Sequence, residues 1–152
     1  MTYPNIFSKD VAESVIARID ALTASTQPQW GKMQVAQMLA HCCVTYEMVY
    51  TDKHKKPGAA AQFLLKLFVK PAVVGNKPYK RNSPTAPAFV VNDTRDFEVE
   101  RKRLVDYIRR VQADGEAFFD GRASNSFGKL SADEWNVMFY KHIDHHLTQF
   151  GV

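Results

Sequence analysis

The stretch that decides the fold reads Trp135-Asn-Val-Met-Phe-Tyr-Lys-His142-Ile-Asp-His145-His146-Leu-Thr-Gln149-Phe150 and carries three of the chain's five histidines. A helix turns about 100° per residue, so His142 and His146 lie about 40° apart on one face. Trp135, Met138, Phe139 and Gln149 share this arc, which places the two imidazoles in the apolar stripe that faces a core. An unpartnered polar group in a core costs about 1–3 kcal/mol, so both rings need partners. Their i, i+4 spacing allows two imidazoles to share one metal ion.

A third ligand must come from another segment. His41 lies in the middle of a second helical stretch, on a face of mixed polarity that is typical of a pocket wall. His54 lies among lysines and is expected to be exposed to solvent. His145 is about 60° from His142 on the side away from His146, so we expect it to flank the site. Three neutral imidazoles with one open position are typical of catalytic zinc, and they also suit nickel, cobalt, iron or copper. From spacing alone, hydrogen-bonded core histidines remain an open alternative.

Other side chains bear on which reactions and ligand contacts are possible near the histidines. Ile143 follows His142 where the zincin motif has its glutamate base, which argues against a peptidase. Gln37 and Gln149 are candidates for contacts with a ligand or with the histidines, although buried amides can equally bond backbone or water. The adjacent Cys42 and Cys43 cannot join distant segments, and we expect them to be small buried residues rather than redox groups.

Apolar periodicity and cap residues predict four main helices in a single domain over 1–152. They are expected at 8–22, at 32–50, from 93 to just before Gly115, and from Ser131 onward. The last helix begins with Ser131-Ala-Asp-Glu, a capping box in which two side chains satisfy exposed backbone donors. The pattern therefore predicts an all-α four-helix bundle.

About 40 residues separate the second and third main helices. This is too long for a hairpin, so we expect a crossover that joins two parallel helices of the bundle. Within it, 59–69 predicts a short extra helix that is stopped by Pro71. The segment 51–82 has a local charge of +7. It reads as a solvated surface, as the mouth of a site for an anionic small molecule, or as a membrane or nucleic-acid patch.

Three quoted segments together resemble the DinB/YfiT-like superfamily, in a branch labelled as a domain of unknown function. They are Trp30-Gly-Lys-Met-Gln-Val-Ala-Gln-Met-Leu-Ala-His41-Cys, Phe127-Gly-Lys-Leu-Ser-Ala-Asp-Glu-Trp135 and Tyr140-Lys-His142-Ile-Asp-His145-His146-Leu-Thr-Gln149-Phe-Gly-Val152. The resemblance implies an up-down-down-up bundle with a divalent metal on residues matching His41, His142 and His146. It also implies relatives that are bacillithiol- or mycothiol-dependent transferases and a mycothiol-dependent isomerase. The branch often has His-Pro where this chain has Asn125-Ser126.

These features together predict a metal-dependent enzyme that acts on a small molecule, with zinc or nickel as the ion. The resemblance implies a low-molecular-weight thiol as a further cofactor. The alternative is a non-catalytic metal-binding or stress-response module. Nothing in the sequence indicates a secretion signal, a membrane span or a nucleic-acid motif, so we expect a cytoplasmic protein. The apolar side chains of 59–69 need cover, and we expect a homodimer that uses this segment or a bundle face.

Overall fold

A computed structural model describes residues 3–152 and is mostly helical. Its helices are α1 (Lys9–Asp20), α2 (Val35–Tyr50), α3 (Ala59–Phe68), α4 (Lys70–Val74), α5 (Phe97–Phe119) and α6 (Ala132–Gln149), with a 3₁₀ turn at Pro87–Phe89. The expectation of an all-α chain misses one feature, because β1 (Ala123–Ser124) and β2 (Gly128–Lys129) form an antiparallel hairpin just before α6.

Local capping explains where the helices begin. The Ser131 hydroxyl accepts from the Glu134 backbone N–H at 3.2 Å, and the Glu134 carboxylate accepts from the Ser131 N–H at 3.0 Å. The predicted capping box of α6 is therefore confirmed. Helix α2 begins at Val35, three residues later than expected, because Gln37 accepts from the Gln34 backbone N–H at 3.0 Å and so caps the helix there.

The core lies among α1, α2, α5 and α6, where the apolar stripes of these helices meet. The Tyr46 ring on α2 stacks on Phe139 of α6 at a centroid distance of 5.2 Å. Phe119 near the end of α5 contacts both Phe139 and Trp135. All four of these aromatic side chains are almost completely buried. None of the helices that the structure describes is both long and apolar enough to cross a bilayer.

One predicted helix end and the predicted role of Pro71 were wrong. Helix α5 continues to Phe119, because Gly115 adopts φ +71°, a conformation open to glycine, and the chain resumes helical geometry after this kink. Pro71 does not simply stop the short helix. It lies in the first turn of α4, where a proline needs no backbone donor and its fixed φ suits helix formation.

The crossover is fastened to α6 through Lys141, the residue before His142. Its buried ammonium donates to the carbonyl oxygens of Ala72 at 2.8 Å, Gly75 at 2.6 Å and Lys77 at 3.3 Å. These three acceptors satisfy the charged group and hold the end of α4 against α6. Within residues 3–152 the outer face of α3 is uncovered, and its Phe63 and Phe68 side chains are 67% and 71% exposed.

Candidate metal centre

The structure brings His41, His142 and His146 together from α2 and α6. The Nε2 atoms of His41 and His142 are 3.1 Å apart. The ring of His146 has its centroid 4.5 Å from that of His41 and 4.9 Å from that of His142. One nitrogen from each ring can be chosen so that all three lie within 4.8 Å of one another, and such a group could hold a metal ion.

The other nitrogen of each ring, Nδ1, has an outer partner. His41 Nδ1 donates to the Phe89 carbonyl at 2.9 Å, and His146 Nδ1 bonds the Gln149 amide oxygen at 2.9 Å. Since a carbonyl oxygen only accepts, these two bonds place the ring protons on Nδ1 and leave Nε2 with a free electron pair. Metal-bound histidines usually have such partners, which fix the tautomer and the ring orientation.

His142 has a more adaptable partner. Its Nδ1 lies 3.1 Å from the Thr45 hydroxyl, which can either donate or accept. If the two Nε2 atoms hydrogen-bond directly, His142 Nε2 is the donor, because His41 Nε2 carries the electron pair. To bind a metal through Nε2, His142 would move its proton to Nδ1, where the Thr45 oxygen accepts it. The hydroxyl therefore supports both tautomers of His142.

The amide of Gln149 is fixed from both ends. Its nitrogen donates to the Trp30 carbonyl at 2.8 Å, so the amide oxygen must face His146. Gly31 makes room for this arrangement, because a Cβ on Gly31 would lie only 2.6 Å from the amide nitrogen of Gln149. Gly31 also has φ +84°, which glycine adopts readily. The Trp30-Gly31 turn thus positions the partner of a histidine in α6.

All three rings are held neutral. Burial lowers the pKa of His146 to about 3, and the nearby His41 adds to this shift. Burial likewise lowers the pKa of His142 well below its usual value, followed by the effect of the neighbouring His146 and His41 rings. The pKa of His41 is also lowered by burial, although its bond to the Phe89 carbonyl opposes the shift. Neutral imidazole is the form that binds metals, so the environment has prepared the ligands at neutral pH.

One of the separations between the ligand nitrogens suits a tetrahedral ion. With metal–nitrogen bonds of about 2.0–2.1 Å, tetrahedral angles place two ligand nitrogens about 3.3 Å apart. The 3.1 Å between the Nε2 atoms of His41 and His142 is close to this separation. The donor set consists of nitrogen alone, which favours a transition-metal ion such as zinc or nickel over calcium or magnesium.

The three histidines lie on the wall of a cavity of about 800 Å³. This volume is within the range of small-molecule sites, about 300–1,000 Å³. His145 flanks the group as expected, with its ring 5.1 Å from that of His146 and 5.6 Å from that of Tyr79. Gln149 also lines the cavity, whereas Gln37 caps α2 and donates to the Asp93 carbonyl at 3.2 Å. The structure therefore does not bring Gln37 to the histidines.

His54 is not the solvent-exposed residue that its lysine-rich context indicates. Its Nε2 lies 2.8 Å from the buried Glu47 carboxylate, and its side chain lines the same cavity. Asn125 donates to the His54 carbonyl at 3.2 Å and thereby ties the β-hairpin to this segment. The second Glu47 oxygen accepts from Lys53 at 3.0 Å and from Arg103 at 2.9 Å. A lone acid on a buried helix face, close in sequence to several cations, is the signal that could have predicted these ion pairs.

The cysteines behave as small buried residues. Cys42 and Cys43 are completely buried, and burial raises the pKa of the Cys43 thiol to about 12. Since the thiolate is the nucleophile and the metal ligand, neither group is prepared for such chemistry at neutral pH.

The fold and the site define a mostly helical domain with a buried three-histidine cluster that could hold a metal ion and that faces a large cavity. The chain belongs to the family described as "Protein of unknown function (DUF1569)", whose model matches residues 7–151. No curated protein and no solved structure matches the chain.

Proposed function

We propose that this protein is a metal-dependent enzyme that acts on a small molecule, with His41, His142 and His146 as the ligands of one divalent ion. The observation that carries the proposal is the pairing of every ring with an outer partner on the wall of an 800 Å³ cavity. A purely structural zinc site usually has four protein ligands, whereas three histidines leave a position for substrate.

A bound divalent ion would supply Lewis-acid chemistry, either polarising a substrate atom or lowering the pKa of a water or thiol. The chain's own residues hold the three imidazoles neutral and oriented, while His145 and Gln149 line the adjoining space. We propose zinc or nickel as the ion, since imidazole suits both. A transfer or isomerisation that uses a low-molecular-weight thiol is the reaction that the DinB/YfiT resemblance implies.

We also propose that the long helices form the up-down-down-up bundle of that superfamily. The support comes from the order of contacts between helices. Along α2 and α5, Glu47 pairs with Arg103 and Tyr50 with Asp114, an order that suits parallel helices. Between α2 and α6, the contacts instead run in opposite directions, since His41 meets His146 and Tyr46 meets Phe139.

Metal binding tests the proposal directly. Protein produced without a histidine tag should contain about one equivalent of transition metal, and chelator-treated protein should bind one Zn²⁺ or Ni²⁺ in isothermal titration calorimetry. His142→Ala should abolish this binding, while His145→Ala, the matched change of a histidine on the same helix outside the ligand set, should retain it. Equal zinc affinity in wild type and His142→Ala would overturn the assignment.

The same samples distinguish an enzyme from a binding module. Cobalt substitution reports the coordination number by visible absorption, and an added thiol should change the spectrum if a coordination position is open. A spectrum that no thiol or anion changes would indicate a closed, structural site and favour the non-catalytic module.

A further inference from the structure

The charges around the cavity are one-sided. All five histidines of the chain line it, together with Lys32, Lys53, Lys55 and Lys80. Among the residues that the structure describes, no aspartate or glutamate lines this cavity. Behind the wall, Glu47 pairs with Lys53 at 3.0 Å and with His54 at 2.8 Å, and Asp144 lies close enough to His145 to influence its charge. The other three lysines therefore lie on a wall without an acidic partner among the described cavity residues.

The remaining wall is mainly apolar. Side chains from α2, α3, α6 and the 3₁₀ turn cover it, among them Met48, Val49, Leu65, Phe89 and Met138. The lysines are exposed and so mark the solvent side, whereas His41 and His146 are buried. Apolar walls with a few placed polar groups are typical of sites for small organic ligands.

We infer that the cavity binds an organic anion with an apolar body, such as a long-chain or aromatic carboxylate. A divalent ion on three neutral histidines would bring two further positive charges to a site without acidic residues. An anionic ligand compensates these charges, and the mouth lysines attract it toward the cavity. This inference adds a substrate class to the proposed function. The statement that the bound anion is the substrate rests on that proposed function.

Two probes with the same aromatic frame separate charge from apolar contact. 8-Anilinonaphthalene-1-sulfonate is an anion, and N-phenyl-1-naphthylamine is its uncharged counterpart. Both are titrated by fluorescence into the whole, chelator-treated protein at low ionic strength. They should displace each other with a stoichiometry of one, as expected of a shared cavity. Failure of either probe to displace the other would overturn the inference.

The double variant Lys55→Gln/Lys80→Gln should raise the dissociation constant of the sulfonate about three- to tenfold, with the neutral probe changed less than about twofold. The matched control, Lys9→Gln/Lys129→Gln, removes two exposed lysines that do not line the cavity and should change neither constant. An equal effect of the two double variants, or an equal effect on both probes, would overturn the inference.

Loading with zinc provides the final comparison and keeps the two proposals distinguishable. Decanoate should displace the neutral probe more effectively from zinc-loaded than from chelator-treated protein, while decanol should not discriminate. If sulfonate binding depends on Lys55 and Lys80 but the protein does not bind zinc, only the metal proposal is refuted. If the protein binds zinc but sulfonate binding does not depend on these lysines, only the anion inference is refuted.

Discussion

Replacing Gln149 with leucine tests the idea that the outer partners of the histidines prepare the metal site. The leucine side chain has nearly the same size but cannot accept the proton of His146 Nδ1, which the Gln149 oxygen holds at 2.9 Å. The Trp30 carbonyl would lose its donor at the same time. We therefore expect His146 to lose its fixed orientation and its fixed tautomer.

Gln149→Leu should have two separate effects, one on zinc affinity and one on the free energy of unfolding. Losing the outer partner of a metal-bound histidine typically weakens metal binding about 10- to 100-fold, or about 1.4–2.7 kcal/mol. In the chelator-treated protein, leaving the buried N–H of His146 unpaired costs about 1–3 kcal/mol of unfolding free energy. For a domain of this size, each lost kcal/mol lowers Tm by about 2–4 °C.

The assay combines zinc titration calorimetry with urea unfolding of the chelator-treated protein. Gln37→Leu is the matched control, because this amide caps α2 and does not line the cavity. It should cost about 0.5–2 kcal/mol of stability as a lost cap while leaving zinc affinity unchanged. If Gln149→Leu binds zinc as tightly as the wild type while retaining native circular dichroism, the outer partners do not prepare the site.

Three other predictions concern stability and assembly. Glu47→Gln should lower the unfolding free energy measured in urea by about 2–3 kcal/mol, because it breaks a buried charge network whose cations are partly solvated. The control Glu98→Gln, at an exposed position, should cost less than about 0.5 kcal/mol, and equal costs for the two variants would refute the role of the network. Burial lowers the pKa of His146 from 6.5 to about 3, so the native state binds fewer protons than the unfolded state between these values. Chelator-treated protein should then lose about 2 kcal/mol from this ring between pH 8 and pH 5, with a shallower loss in His146→Gln, and an identical pH dependence would contradict this. The exposed Phe63 and Phe68 are expected to form a homodimer contact. Light scattering should therefore give twice the 17.3 kDa chain mass for the wild type and the single mass for the Phe63→Ser/Phe68→Ser variant, and a monomeric wild type would refute the dimer.

Local patterns predicted the parts of the fold that depend on one helix at a time. The i, i+4 spacing placed His142 and His146 on one inward face, and the Ser131 capping box fixed where that face begins. The mixed face of α2 correctly singled out His41 as the third ring. Each of these features follows from helix geometry and needs no knowledge of the loops.

The sequence could not predict what the loops contribute, because their path depends on contacts far apart in the chain. The Phe89 carbonyl reaches His41 only because the crossover returns over α2. His54 has a strongly charged local context, and only the buried carboxylate of Glu47 turns it inward. Gly115 is a typical helix terminator, yet helical geometry resumes after the kink and carries Phe119 into the core.

These two kinds of contribution correspond to two parts of the site. The helices α2 and α6 bring the three rings together, and the contacts of Thr45 and Gln149 keep two of them oriented without help from the crossover. The crossover supplies the third partner, the Phe89 carbonyl, and much of the cavity wall, including Lys55 and Lys80. Substitutions in the crossover should therefore have a larger effect on the choice of ligand than on the assembly of the proposed metal centre. For the same reason, helical spacing could predict much of the three-histidine cluster, whereas the proposed class of ligand required the three-dimensional arrangement of the loops.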